Sequence, residues 1–399
     1  MKPLVLTELR IQSFRNLAPT TLRPSRRLNV FHGDNGQGKT NVLEAIYVLC
    51  TTRSFRTSKP AELVQLGTPA DAMAVVRGTF EEDGRTRVQS VAQRKGARVL
   101  RIDGARPRTL AEYAARTPVV VFGPQDVTLA MGSGSERRKL LDRVSLYRAP
   151  AVLGDLEAYG RAIRERQRSL ELYGDDAGDL DTWEELAVKY GTAVMAARHE
   201  AAEPLSVAAR SAFARFGTPG IDLDVRYQTS APRDPGAYAD ALRKSRPKDR
   251  RRGSASIGPH RDDLEIAIGG LPARAVASQG QHRAIVLSLK SAELGVVGAS
   301  RDAQPILLLD DVSSELDRAR TAALFRFLEG EEGQIFLTTT RKEVVDEAGA
   351  FGGAFEGGLR VDVPIVDGHL GGASEGLESP GDSPVDPSGE SVEPASAKH

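Results

Sequence analysis

The sequence predicts an α/β fold: a P-loop nucleotide-binding head interrupted by an inserted helical arm. Three observations carry that expectation. Gly33-Asp34-Asn35-Gly36-Gln37-Gly38-Lys39-Thr40 stands between a short apolar run and a segment of helical period. Ile306-Leu307-Leu308-Leu309 is a second apolar run, and it ends in two carboxylates, Asp310 and Asp311. Between them, Glu136 to about Phe216 is rich in Ala, Arg, Glu and Leu and poor in β-branched residues, as long helices are.

Taken in order, Leu4 to Phe14 alternates loosely and reads as a first strand. Leu28-Asn29-Val30-Phe31 reads as a buried strand that stops at Gly33. From Thr40 the period changes: Val42, Leu43, Ile46 and Leu49 share one helical face, which predicts a helix to about Cys50. Strand-like stretches follow at Ala74–Thr79, Arg87–Val91 and Pro118–Phe122. In the helical region, Leu156, Ile163 and Leu170 recur every seven residues, as a packed helix pair requires, and Gly174 to Gly178 breaks one helix from the next. Arg161, Arg164, Arg166 and Arg168 read as the wet face of that arm. Beyond it come a strand at Ile221–Tyr227, a basic loop, and a strand at Leu264–Ile268. A helix from about Gln281 to Leu294, the strand Ile306–Asp310, a helix Arg318–Leu328 and a strand Gln334–Leu337 complete the pattern. The expected organisation is an N-terminal part of the head over 1–130, an arm over 131–220, a C-terminal part of the head over 221–367 and a tail over 368–399.

Composition narrows the function classes. Hydrophobic residues make up 40% and charged residues 27%, an ordinary globular balance. No apolar run approaches the ~18 residues of a membrane span, and Glu8 and Arg10 interrupt any leader-like core at the start. One cysteine, Cys50, permits no internal disulfide and fits a reducing cytoplasm. One Cys and six His make a structural zinc site a poor expectation. Lys+Arg and Asp+Glu are both 54, but the balance is uneven. From Gly368 onward there are six acids against Lys398, so 1 − 6 = −5, which leaves the body at about +5. That tail is poor in apolar residues and is expected to be disordered.

The first motif meets the demands of phosphate binding one by one. Its glycines, Gly33, Gly36 and Gly38, let backbone N–H groups curl around phosphate, with Asp34, Asn35 and Gln37 between them. Lys39 reaches the β- and γ-phosphates as a point charge, and the Thr40 hydroxyl is a hard ligand for Mg²⁺. The following helix turns its N-terminus toward the anion. The expected cofactors are ATP and Mg²⁺. Asp310, at the exit of a core strand, is placed to hold the metal through water. Asp311, one residue on, is the candidate to orient or deprotonate the attacking water.

These elements resemble the ABC-type ATPases. Ala277-Ser278-Gln279-Gly280-Gln281-His282-Arg283 is similar to that superfamily's signature motif, which binds the γ-phosphate of ATP held by the other subunit. The resemblance therefore implies that Ser278, Gln279, Gly280 and Gln281 act in trans, in an ATP-dependent head-to-tail dimer. Ser314-Glu315-Leu316-Asp317 resembles the D-loop, and Gln125 falls where a Q-loop residue is expected. Thr338-Thr339-Thr340 ends the strand where transporters carry a switch His. From Lys39 to Ser278 is 278 − 39 = 239 residues, too long for a transporter subdomain and far too short for an SMC coiled coil. Residues 1 to about 367 resemble the RecF family of bacterial recombination mediators. The matching phrases are Ser13-Phe14-Arg15-Asn16-Leu17, Thr52-Arg53-Ser54-Phe55-Arg56-Thr57, Phe122-Gly123-Pro124-Gln125-Asp126, Gly258-Pro259-His260-Arg261-Asp262-Asp263 and Ser278-Gln279-Gly280-Gln281.

That resemblance implies an ABC-type head and a slow, Mg²⁺-dependent ATPase that uses hydrolysis as a release step. It implies binding to gapped or junction DNA, help in loading a recombinase on single strands, and a RecR-type partner. Two basic clusters are candidates for the DNA: Arg53, Arg56 and Lys59, and the run Arg243 to Arg252 that ends in Arg250, Arg251 and Arg252. No aromatic residues interleave with them, so backbone contacts without sequence readout are expected. The rival readings are a nucleotide-dependent scaffold for a protein partner and a transporter ATPase subunit.

Overall fold

The computed structural model describes residues 4–217, 219–311, 318–340, 359–372 and 374–375. Its strands are β1 (Leu4–Gln12), β2 (Thr20–Leu22), β3 (Leu28–His32), β4 (Ala74–Glu82), β5 (Arg85–Arg94), β6 (Ala97–Ile102), β7 (Val119–Phe122), β8 (Leu223–Gln228), β9 (Asp263–Ile268), β10 (Leu271–Pro272), β11 (Ile306–Asp310), β12 (Ile335–Thr339), β13 (Arg360–Val366), β14 (His369–Leu370) and β15 (Ser374–Glu375). Its helices are α1 (Lys39–Thr51), α2 (Leu110–Ala114), α3 (Val127–Met131), α4 (Gly134–Arg148), α5 (Val152–Tyr173), α6 (Leu180–Phe216), α7 (Pro235–Arg252), α8 (Ala273–Val276), α9 (Gln279–Arg301) and α10 (Arg318–Glu329).

The organising layer is a six-stranded sheet in the order β14-β13-β3-β12-β11-β7. All its pairings are parallel except the β13–β14 hairpin. Parallel strands must be covered on both faces, and β7, β11 and β12 are buried throughout and apolar up to Asp310 on β11 and Thr338 on β12. Alternate residues feed two separate cores. Leu28, Val30, Val120, Phe122, Leu307, Leu309, Ile335 and Leu337 face a core built with α4, α9 and the second half of α6. Phe31, Val119, Val121, Ile306, Leu308 and Phe336 face the other, built with α1 and the antiparallel sheet β15-β2-β1-β4-β5-β6. The one cysteine, Cys50, is buried in that second core.

The arm consists of α5, the first half of α6 and α7. Tyr159, Ala187, Met195, Tyr238 and Leu242 form its small core. The sequence reading placed a loop where α7 stands. Asp234 caps this helix by accepting the Ala237 N–H, Pro235 opens it and Gly253, at φ 68°, closes it. Its inward face is Tyr238, Leu242, Ser245 and Asp249. Half of that face is polar, so no apolar period marks it.

Ser245 and Asp249 are inside because Arg166 is. Far from lying on a wet face, Arg166 is fully buried. Its guanidinium donates to Glu184 and Asp249, each at 2.9 Å, and to the Leu242 carbonyl at 2.8 Å. Its neighbours Arg161, Arg164 and Arg168 are exposed, as expected. The tail also departs from expectation at its root. Residues 368–372 and 374–375 belong to the fold: β14 closes a hairpin on β13, and β15 pairs with β2. The remainder of the expected tail, 376–399, lies outside the described residues.

Candidate nucleotide-binding site

The P-loop leaves the carboxyl end of β3 and enters α1, where open parallel sheets place their ligands. Gly36 and Gly38 sit at φ 84° and 110°, backbone that a side chain rarely adopts. The Lys39 ammonium is folded back, donating to the Gly33 and Asp34 carbonyls at 2.7 Å each. Burial holds its pKa below the ordinary lysine range, against the opposing pull of Asp311, Asp34 and Asp310.

β11 delivers Asp310 to the same place. The Thr40 hydroxyl donates to Asp310 Oδ1 at 2.7 Å, and the Thr338 hydroxyl donates to the same oxygen at 2.8 Å. Thr338 Oγ1 in turn accepts the Asp311 N–H at 3.0 Å. Burial raises the Asp310 pKa; the two hydroxyls and the charge of Arg56 oppose it. The pair fits a hard cation. A P-loop metal site takes one hydroxyl and one carboxylate from the protein and further oxygens from phosphate and water. Among the described residues there is no group of three His, Cys, Asp or Glu that could hold a metal by itself.

Thr338 was read from sequence only as the place of a missing His. Its contact follows from register: β11 and β12 run parallel with Asp310 opposite Thr338. No motif in the sequence signals it. Arg56 was read as a DNA contact. Its side chain is exposed and also donates to Asn41 Oδ1 at 2.6 Å, lying 3.4 Å from buried Glu44 and close enough to bias Asp310. Arg15 holds the same Glu44 through two bonds of 2.9 and 2.8 Å. Arg53 is exposed, and Lys59 lies 3.4 Å from Glu62. The other basic group, Arg250, Arg251 and Arg252, occupies the exposed last turn of α7, on the arm.

Ser278 is the N-cap of α9. Its Oγ accepts the Gln281 N–H at 3.2 Å, and Gln281 Oε1 accepts the Ser278 N–H at 2.8 Å. Ser278 and Gln279 are exposed, and Gly280 packs against the Arg320 guanidinium. None of the Ser278 or Gln281 bonds reaches the P-loop of the same chain. Gln125 is exposed on a short turn after β7. That turn adjoins the acidic site, since a Cβ on Gly123 would stand 3.7 Å from the Asp310 Cβ. Asp317 and its D-loop neighbours lie outside the described residues.

The chain is similar to known proteins. Residues 5–358 match the RecF/RecN/SMC N terminal domain family. The DNA replication and repair protein RecF of Anaeromyxobacter sp. (strain Fw109-5) is 39% identical over 375 residues, 89% of this chain and 98% of that protein. A solved structure of the recombination mediator protein RecF-ATPrS in the RecFOR pathway superposes with a TM-score of 0.80 at 30% identity, covering 92% of this chain and 98% of the other. The Smc head domain derived from Pyrococcus furiosus superposes at 0.52 with 16% identity over 92% of this chain and 95% of its own, which is a likeness of fold. The head is thus an SMC-head-like ABC ATPase fold, and with near-complete coverage of both partners in the RecF comparisons, the chain belongs to the RecF family.

Proposed function

We propose that this chain is an ATP-dependent DNA-binding protein of recombinational repair and replication-fork maintenance. The observation that carries the nucleotide part is the Thr40–Asp310 contact at 2.7 Å beside a folded-back Lys39. In this reading Lys39 exchanges the Gly33 and Asp34 carbonyls for the β- and γ-phosphates, and the P-loop N–H groups cradle the rest. Thr40 and Asp310 hold Mg²⁺, which when bound neutralises charge on the phosphates. Asp311 orients the attacking water, with its backbone fixed by Thr338. Thr338 also keeps the Asp310 carboxylate aimed.

Ser278 and Gln279 are exposed at a helix N-terminus suited to an anion, and among the described residues the Ser278 and Gln281 side chains bond only each other's backbone N–H. Ser278 to Gln281 complete the site of a second copy, head to tail, with Gln125 at its edge and Asp317 in the role its resemblance to the D-loop implies. Only a ligand that contacts both copies can favour the closed dimer, and ATP does so. Closure gathers the exposed bases of the head and arm around gapped or junction DNA. A slow hydrolysis step reopens it, and a RecR-type mediator works with the closed form. The relatives named for DNA replication and repair support this assignment.

The test is fluorescence anisotropy of a labelled gapped duplex at fixed salt, without nucleotide, with ATP and with a non-hydrolysable analogue. Binding is expected with nucleotide only. Lys39→Met is expected to weaken nucleotide binding ~100-fold, the scale of a lost charge-assisted phosphate contact, and to abolish DNA retention. Binding indifferent to nucleotide would overturn the clamp and favour a protein scaffold.

A further inference from the structure

The P-loop motif leaves its fifth residue free, yet Gln37 is tied through both its side chain and its backbone to a distant turn. Its side-chain Oε1 accepts the Asp367 N–H, and its backbone carbonyl accepts the Gly368 N–H at 3.1 Å. Asp367 and Gly368 are the two central residues of the β13–β14 hairpin, with Val366 opposite His369. Both have positive φ, 49° and 80°, the signature of a tight two-residue turn that Asp-Gly favours. The Gly368 carbonyl then accepts the Ala18 N–H at 3.1 Å. A Cβ at Gly368 would fall on the Asn16 carbonyl oxygen, and one at Gly33 on the Ile365 carbonyl oxygen. From the other side Asn16 donates to the Gly36 carbonyl at 3.2 Å and accepts from Asn41 at 2.6 Å. The phosphate loop is therefore gripped between Asn16 and the Asp367–Gly368 turn, and Gln37 meets that turn across 330 residues of chain.

We infer that the Asp367–Gly368 turn is a brace for the P-loop, and that Gln37 is the positioning residue through which it sets nucleotide affinity. This rests on the nucleotide reading above. The backbone N–H groups of the loop cradle phosphate only when their peptide planes are held in one orientation. The turn fixes the peptide that follows Gln37 by its carbonyl, and Gln37 fixes the turn by its amide. Preorganisation of this kind acts on binding rather than on the chemical step. ATP and ADP both use the loop, so both should feel its loss equally.

The experiment measures fluorescent ATP and ADP analogues bound to the full-length chain, with thermal unfolding in the absence of nucleotide. Gln37→Met keeps the length and removes the acceptor. It is expected to weaken both nucleotides by about 3- to 10-fold, the range of one or two neutral hydrogen bonds. Turnover at saturating ATP should hold, so that KM rises and kcat does not fall. Asp367→Asn preserves the turn and should bind as the wild type does, whereas Gly368→Ala should reproduce the Gln37→Met loss. Wild-type affinity in both Gln37→Met and Gly368→Ala would overturn the brace while leaving the nucleotide site standing. If Gly368→Ala fails to fold, Gln37→Met decides alone. A wild-type chain that binds neither nucleotide, like Lys39→Met, overturns the nucleotide reading and the brace with it.

Discussion

The nucleotide face of the head and the interior of the arm treat charge in opposite ways. In the arm, Arg166 meets two carboxylates, and Glu184 in turn meets Arg246, which donates to it at 3.0 and 2.6 Å. Charges there are matched to charges. In the head, Lys39 donates to two neutral carbonyls, and the bonds to the Asp310 side chain come from two neutral hydroxyls. Those groups are held in place but not neutralised. Paired charges weld helices together; charges held by neutral partners keep their capacity for a charged ligand. The contrast separates a structural network from a site more sharply than burial does, because both regions are buried.

Breaking the arm's side of this comparison should give the largest effect. Arg166→Met leaves Asp249 without its cation in a dry interior and takes one of Glu184's two arginines, and a loss of about 3–5 kcal/mol is expected, read as the shift in urea midpoint. Replacing Arg166 and Asp249 together by apolar residues of similar size, with Glu184 left to Arg246, should recover much of that loss. If Arg166→Met alone is neutral, the network is not what welds the arm. On the head's side, Thr338→Val keeps the shape of the strand and deletes the hydroxyl between Asp310 and Asp311. Steady-state ATPase assays should show kcat falling about tenfold, the cost of one positioned bond, with KM nearly unchanged. An unchanged kcat would remove Thr338 from the mechanism.

The smallest expected effect concerns Asp310 in the absence of ligand. Its pKa is raised by burial, so folding favours the protonated form, and its contribution to stability fades as pH rises through the folded value. Asp310→Asn keeps an oxygen acceptor for Thr40 and Thr338 and removes the buried charge. It should raise the melting temperature of the nucleotide-free chain at neutral pH, and the gain should vanish in acid, below the ordinary carboxylate range. A melting temperature equal to wild type across that pH span would show that Asp310 is not held under strain.

The same contrast explains what was legible in the sequence. Phosphate binding fixes residue types at fixed spacing, so Gly33 to Thr40 and the strand ending in Asp310 are read directly, with the helices and core strands around them. Thr338 is invisible because its role comes from strand register; Gln37 is read as a residue of the loop, but its tether is not, because the motif does not say what that side chain meets. Arg166 was misread because helical spacing reports which residues share a face, not what that face meets. A charged residue on an inward face needs charged partners from distant segments, here Glu184 and Asp249. α7 was missed for the same cause, since Ser245 and Asp249 replace the apolar members that would have marked its period.

The central sheet has a consequence for how the chain is made. It is a partition one strand thick, and β3, β7, β11 and β12 each supply alternate residues to both cores. Neither core can close until β11 and β12 arrive, the core beside α1 waits for β13 as well, and Gln334 ties β12 back to Leu6 across 328 residues of chain. From the end of β7 at Phe122 to the end of β13 at Val366 is 366 − 122 = 244 residues. At about 5–20 residues per second the ribosome takes roughly 12–50 s to deliver them. Through that interval the apolar edge of β3 and the faces of α1 and β1 stand uncovered, a long exposure for a nascent chain of high contact order. Synthesis of this head should therefore lean on chaperones, and a fragment ending before β13 should fail to fold on its own.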